Sequence, residues 1–347
     1  MKLATVHLAG QDEVVVATAD QEAVVLLRDL YEDANLGTPP ATLRALLDRG
    51  PGELDRIRAA LPRLGSLSKL PGDTVTWRPP VPEPSKVLGV AMNNGALNNT
   101  AHVPPAGPMF FLKPQNALVG HLQPIEIADD YGFTFPELEL AVVIGSPARH
   151  VTERDALDHV AGYTIANDVT SQGLKRGDSI AVDITPEMRR TPGYEDYFSW
   201  RRSHGDDDNE VYFTYHTRSK GADTFGPMGP YLTTKDEIPD PDDLTVRGYA
   251  DGDLFAEDST ARYSYPVAEV VSWASRYFTL NPGDVILCGT AAKGTERYPR
   301  AHHNIDVSTT TPKIDIDIAG LGRLTNHVIH TSRPVAATDR EAKEVSA

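Results

Sequence analysis

Phe135-Pro136-Glu137-Leu138-Glu139-Leu140-Ala141-Val142-Val143-Ile144-Gly145 is the stretch on which the reading of this chain turns. Two acids spaced by one residue lead into an apolar, β-branched run that stops at a glycine. Such a run reads as a strand, and side chains two apart in a strand leave the same face. Glu137 and Glu139 therefore point together at the mouth of an otherwise hydrophobic element. Carboxylates held that close repel unless a proton or a cation lies between them. A hard divalent cation, Mg²⁺ first and Mn²⁺ or Ca²⁺ as alternatives, takes oxygen ligands and suits the position. The plainer reading is a solvated acidic face, which 49 acids among 347 residues produce repeatedly by chance. The apolar residues that alternate with the pair and follow it argue for burial.

A second strand, Gly162-Tyr163-Thr164-Ile165-Ala166-Asn167-Asp168-Val169-Thr170, breaks at its Asn-Asp pair. Asp168 reads either as a third metal carboxylate at a strand end or as a turn former or helix N-cap. Between the strands, Thr152 opens a capping pattern, and Ala156, Leu157 and Val160 have helical spacing. Strand, short helix and strand would bring Asp168 back beside the glutamates.

These pieces and five others stand in an order that resembles the fumarylacetoacetate hydrolase family, also called the acylpyruvase family. The others are Lys86-Val87-Leu88-Gly89-Val90, Phe110-Phe111-Leu112-Lys113-Pro114, and Lys220-Gly221-Ala222-Asp223-Thr224-Phe225-Gly226-Pro227-Met228-Gly229-Pro230. Thr279-Leu280-Asn281-Pro282-Gly283-Asp284-Val285-Ile286-Leu287-Cys288-Gly289-Thr290 and Gly320-Leu321-Gly322-Arg323-Leu324-Thr325-Asn326 complete the set. Any one piece is weak, but seven in order are specific. The resemblance implies a strand-rich α+β fold, with a mixed β-roll C-terminal domain behind a small N-terminal α/β domain. It implies that Glu137, Glu139 and Asp168 hold the metal, that Lys220 is the active-site lysine, and that Thr290 meets a substrate carboxylate. The implied activity is divalent-metal-dependent work on a 2-oxo or 2,4-dioxo acid through a metal-stabilised enolate. By family default this is hydrolysis of a C–C bond in an acylpyruvate-type substrate. A homodimer is implied too.

The chain departs from the family pattern at three places. Where the family carries a water-activating His and Glu on a short lid helix, this chain has Leu97 and Thr100, neither of them a base at neutral pH. His102, a little further on, is the substitute base if the lid register differs, and otherwise an exposed loop histidine. Gln172 fills the slot of a family arginine, so a forked contact to a substrate carboxylate is replaced, with Lys175 as a point charge nearby. Asp168 and Lys220 lie 52 apart, roughly thirty more than the family usually places there. This insert, at about 176–215, reads as a lid or partner surface, and Arg189, Arg190, Arg201 and Arg202 are candidates there to read an anionic substrate. Loss of the water-activating pair strengthens a second set of reactions: decarboxylation, hydration or dehydration, and enol–keto isomerisation. A non-catalytic binding subunit is a third reading, opposed by the retention of three repelling carboxylates.

Composition agrees with a globular enzyme. A formal charge of −16 argues against nucleic acid and acidic membrane surfaces, and no apolar run is long enough for a membrane span. The first residues lack a signal-peptide core, and the single cysteine, Cys288, suits the cytoplasm and rules out an internal disulfide. The expected partner is a small anionic molecule. Residues 1–82 read as the N-terminal domain, with a hairpin around Gly10-Gln11 and helices near Gln21–Tyr31 and Thr42–Asp48. A Pro-rich connector, 78–84, reads as a stiff linker into the 83–332 domain, and 333–347 as a flexible tail. His302-His303, and His327 with His330, have no further ligands arranged beside them and read as structural or exposed.

Overall fold

A computed structural model describes residues 1–98, 101, 103–197, 201 and 207–332. The opening stretch forms the strand Leu138–Ile144, buried along its whole length. It runs antiparallel between Val160–Asn167 and Val285–Thr290 at the centre of a large sheet. Its two faces feed two cores. Leu138, Leu140, Val142 and Ile144 pack with Val267, Val270, Val271 and Ala274 of the helix Val267–Tyr277. Ala141 and Val143 face Leu43, Leu46, Leu47 and Ile57 from the N-terminal helices. Burial on both faces explains why the stretch reads as a nearly unbroken apolar run.

The sheet continues past Val160–Asn167 to Gly226–Thr234, and then to the N-terminal strand Lys2–Leu8 (Leu3 opposite Leu232) and its hairpin partner Gln11–Ala17. On the other side lie Val87–Ala91 and Met109–Lys113. A second sheet of five strands holds Asp253–Ser259, Thr245–Ala250, Lys313–Ile318, Gly322–Thr331 and Ile125–Ala128. This is the expected strand-rich α+β fold. Among the described residues no helix is long and apolar enough to cross a membrane.

Two local readings need correction. The helix expected near Gln21–Tyr31 starts only at Leu27, because Ala23–Leu26 adds a strand to the hairpin, with Val15 opposite Leu26. A short β-branched run beside an open strand edge gains more from pairing than from a helical turn. The connector is packed down rather than spanning solvent. Arg78 N–H donates to Thr5 O (3.0 Å), the Thr5 hydroxyl donates to Pro80 O (2.7 Å), and Val81 is buried. The helix at Leu43–Leu47 does form, capped by Thr42 Oγ1. Between the two central strands, Thr152 caps the short helix Glu153–Ala156.

The motif ending in Asn326 braces the fold. Asn326 Nδ2 donates to the carbonyls of Gly120 (2.9 Å) and Gln123 (2.8 Å), and His121 Nδ1 in the same turn accepts the Thr325 N–H (3.0 Å). That acceptance requires a neutral ring. Burial holds the His121 pKa down to about 4, outweighing the charge of Asp315. The unfolded chain therefore takes this proton first. Stability is complete above about pH 6.5 and falls toward pH 4, by at most about 3 kcal/mol from this group. Urea midpoints across that interval should fall more steeply for the wild type than for His121→Gln, which still accepts the N–H but does not titrate. Equal slopes would remove His121 as the cause.

Candidate active site

Glu137 lies just before the central strand, where its N–H donates to Asn167 Oδ1 (3.0 Å) and its carbonyl accepts the Asp168 N–H (2.9 Å). Glu139 stands in register with Ala166 on one side and Thr290 on the other. Three central strands thus deliver Glu137, Glu139, Asp168 and Thr290 to one place. Glu139 Oε2 accepts the Gly289 N–H (2.8 Å). Gly289 has φ +124°, and a Cβ there would meet Asn93 at 2.9 Å, so the turn needs glycine. Asn93 ties the turn down through Cys288 O (2.7 Å) and Tyr265 O (3.0 Å).

Lys220 comes from the short helix Thr217–Gly221. Its ammonium bridges Glu137 Oε2 and Asp168 Oδ2 and lies 4.8 Å from the centre of the Phe111 ring. Gly221 permits this approach, since a Cβ there would come within 2.6 Å of Pro114. A second lysine, Lys113, is wholly buried. Its Nζ lies 2.9 Å from Asp168 Oδ1 and donates to Phe225 O (2.8 Å) and to the Lys220 carbonyl. Thr170 Oγ1 donates to Glu137 Oε2 (2.5 Å).

The charges are strongly coupled. Burial alone would raise the Glu137 pKa, but the Lys220 charge, that of His302 and two hydrogen bonds bring it down to about 2. Glu139 goes the other way, well above the usual carboxylate range, through burial and through the charges of Asp168 and Glu137. Lys220 is held protonated against its burial by Asp168, Glu137 and Glu139, whereas burial lowers Lys113 despite Asp168. Three carboxylates therefore face two ammonium groups. Among the described residues no three acidic, His or Cys side chains stand in a metal-binding arrangement as they sit, and Glu137 and Asp168 close on Lys220 instead. The donor chemistry still fits a hard cation. All three groups offer oxygen, and Glu139, with one backbone N–H, remains short of positive charge.

Gln172 and Lys175 lie on the helix Gln172–Gly177, which packs against the Lys220 helix. Their side chains are half-buried. The insert leaves and returns at one point. Ser179–Asp183 pairs with Glu210–Thr214, Tyr215 N–H donates to Asp178 O (3.0 Å), and Arg218 forks onto the Asp178 carboxylate. Three of its arginines are engaged inside it. Arg189 reaches Asp208 O (3.0 Å), Arg190 pairs with Glu187, and Arg201 lies 4.3 Å over the Phe213 ring. Thr100, His102 and Arg202 lie outside the described residues, as does the Leu97 side chain.

Sequence reasoning missed Lys113 and His302. Lys113 closes an apolar strand inside a quoted motif, which was a usable signal. His302, read as structural or exposed, is buried beside Glu137, with its ring 5.4 Å from that of Phe135.

The family profile Fumarylacetoacetate (FAA) hydrolase C-terminal matches residues 86–329. The chain belongs to the fumarylacetoacetate hydrolase family. Among relatives of this hydrolase family, the mitochondrial oxaloacetate tautomerase FAHD2B of Bos taurus is 32% identical over 254 residues, 73% of this chain and 70% of that one. The homoprotocatechuate catabolism bifunctional isomerase/decarboxylase of Escherichia coli is 30% identical over 320 residues, 89% of this chain and 64% of that one. The solved fumarylacetoacetate hydrolase of Exiguobacterium antarcticum is 26% identical, with a TM-score of 0.68, and the match covers 95% of this chain and 100% of that one. This chain is accordingly an enzyme of the fumarylacetoacetate hydrolase family.

Proposed function

We propose that this protein moves a 2-oxo dicarboxylic acid between its keto and enol forms. The observation that carries the reading is the Lys220 ammonium, held between Glu137 and Asp168 next to the Gly289-Thr290 turn. A positive charge in a buried site stabilises negative charge that develops on an enolate oxygen. Thr290 and its turn receive one substrate carboxylate, and Gln172 and Lys175 flank the other end. Leu97 and Thr100 supply no base to activate an attacking water, so proton movement on the substrate is favoured over C–C cleavage. The relationship to an oxaloacetate tautomerase supports the same choice.

A divalent cation, Mg²⁺ first, would be held by Glu137, Glu139 and Asp168 and would polarise the substrate carbonyl as a Lewis acid. For that, the Lys220 ammonium moves off its two carboxylates toward the substrate. The working form in this reading is a homodimer in a reducing, cytoplasmic setting. Hydrolysis of an acylpyruvate is the second reading, kept because the family default uses the same lysine and carboxylates.

The test is turnover of oxaloacetate, an acylpyruvate and a 2-oxo-3-deoxy sugar acid, with and without Mg²⁺, using Glu137→Gln as control. The expected result is loss of oxaloacetate enol absorbance without release of CO₂ or of a second acid. In the control the rate should fall at least about a hundredfold. Release of pyruvate from the acylpyruvate would establish the hydrolase instead, and CO₂ release the decarboxylase. Mg²⁺ should also raise the melting temperature of the wild type more than that of Glu137→Gln.

A further inference from the structure

His302 sits on the short turn Ala301–Asn304 and is 1% exposed, and neither ring nitrogen makes a well-formed hydrogen bond among the described residues, the Ala291 carbonyl being a loose partner. An imidazole buried in that state is costly, and a phenyl ring of similar size would pack there without the cost. Its neighbours place it at the active site. Its ring is 5.4 Å from that of Phe135, two residues before Glu137, and 4.2 Å from that of His303. The charges of Glu137 and Lys220 act on it, and the Ala291 carbonyl, next to Thr290, faces it.

The loop is shaped to hold the ring there. Ala301, fully buried, takes φ 48°, a left-handed conformation that an alanine adopts only when its surroundings impose it. Arg300 N–H donates to Asn304 Oδ1 (2.8 Å), and His302 O accepts the Ile305 N–H (3.0 Å). Val307 N–H then donates to Thr134 O (2.8 Å), which fastens the loop to the strand that leads into Glu137.

We propose that His302 touches the bound substrate, its imidazole forming a hydrogen bond with an oxygen of the 2-oxo acid. The inference rests on the functional reading given above. An imidazole carries a nitrogen on each of two edges, so one nitrogen can meet a substrate oxygen while the other faces Ala291.

The experiment compares His302→Phe and His302→Gln with the wild type. It reads kcat and KM for oxaloacetate, calorimetric binding of pyruvate, and melting temperature. His302→Phe is expected to melt no lower than the wild type, to bind pyruvate more weakly, and to lose at least about tenfold in kcat/KM, with KM rising. His302→Gln, which keeps a donor and an acceptor, should recover most of that loss. Turnover and binding by His302→Phe within about threefold of wild type would overturn the inference. So would equal losses in both variants with a falling melting temperature, which would make His302 a packing residue. Wild type that neither binds pyruvate nor converts oxaloacetate overturns this inference together with the functional reading. An active wild type matched by His302→Phe overturns His302 alone.

Discussion

Lys220→Met is expected to lose about a hundred- to a thousandfold in turnover and to make stability fall more steeply as the pH rises above the carboxylate range. Removing the ammonium leaves Glu137, Glu139 and Asp168 with Lys113 as the remaining neighbouring lysine among the described residues. In the wild type, the Glu137 pKa lies near 2, below that of an unfolded glutamate. Its contribution is therefore present above about pH 4.5 and is lost as the pH falls toward 2. Glu139 is raised already in the wild type, and without the Lys220 charge burial raises Glu137 as well. A raised carboxylate favours the folded state when it is protonated, and that stability is lost as the pH rises past about 4.5. Chemical denaturation in chelator, from about pH 3.5 to 7, should show stability falling with rising pH more steeply in the variant than in the wild type, where Glu139 alone contributes that fall. Parallel slopes would mean that Lys220 does not hold these carboxylates. Arginine should not restore turnover, because a planar guanidinium cannot fit where a compact ammonium touches two carboxylates.

Lys113→Met should have the largest effect on stability. Its Nζ and the carboxylate of Asp168 are both at 0% exposure, 2.9 Å apart. Breaking a buried pair by removing one partner costs about 3–5 kcal/mol, because the other charge stays buried. Here Lys220 still neutralises Asp168, so the lower end of that range applies. Lys113 also holds Phe225 O and the Lys220 carbonyl, which fixes the helix that presents Lys220. The variant should therefore lose turnover as well as stability. A drop in the urea-extrapolated stability of under about 1 kcal/mol would show that water reaches Asp168 freely and that the pair is not buried in solution.

Much of the fold was legible because its strands carry short-range patterns. The run from Leu138 to Ile144, the Asn-Asp break and the Thr152 cap each announce themselves within a few residues. Glu137, Glu139, Asp168, Lys220 and Thr290 were legible as a set only through the order of the family motifs. What stayed hidden depends on distant partners. Lys113 looks like a lysine closing a strand until Asp168 arrives against it. His302 belongs to a loop without periodicity, and its burial comes from Phe135 and Ala291, far off in sequence. Ala23–Leu26 became a strand because the hairpin beside it had a free edge. The pairing of Leu3 with Leu232 leaves no local trace at all.

That last pairing sets a timetable for synthesis. The hairpin Lys2–Leu8 with Gln11–Ala17 leaves the ribosome early, but the strand it joins ends at Thr234. At about 5–20 residues per second, the hairpin waits roughly ten to fifty seconds for its neighbour. Throughout that interval Leu3 lacks its strand partner Leu232, although Leu27, Leu30 and Leu43 of its core are already made. An open, apolar strand edge is what other nascent chains pair with most readily. Newly made chains are thus most exposed to association before the Lys220 helix has emerged, and slowing translation lengthens that exposure.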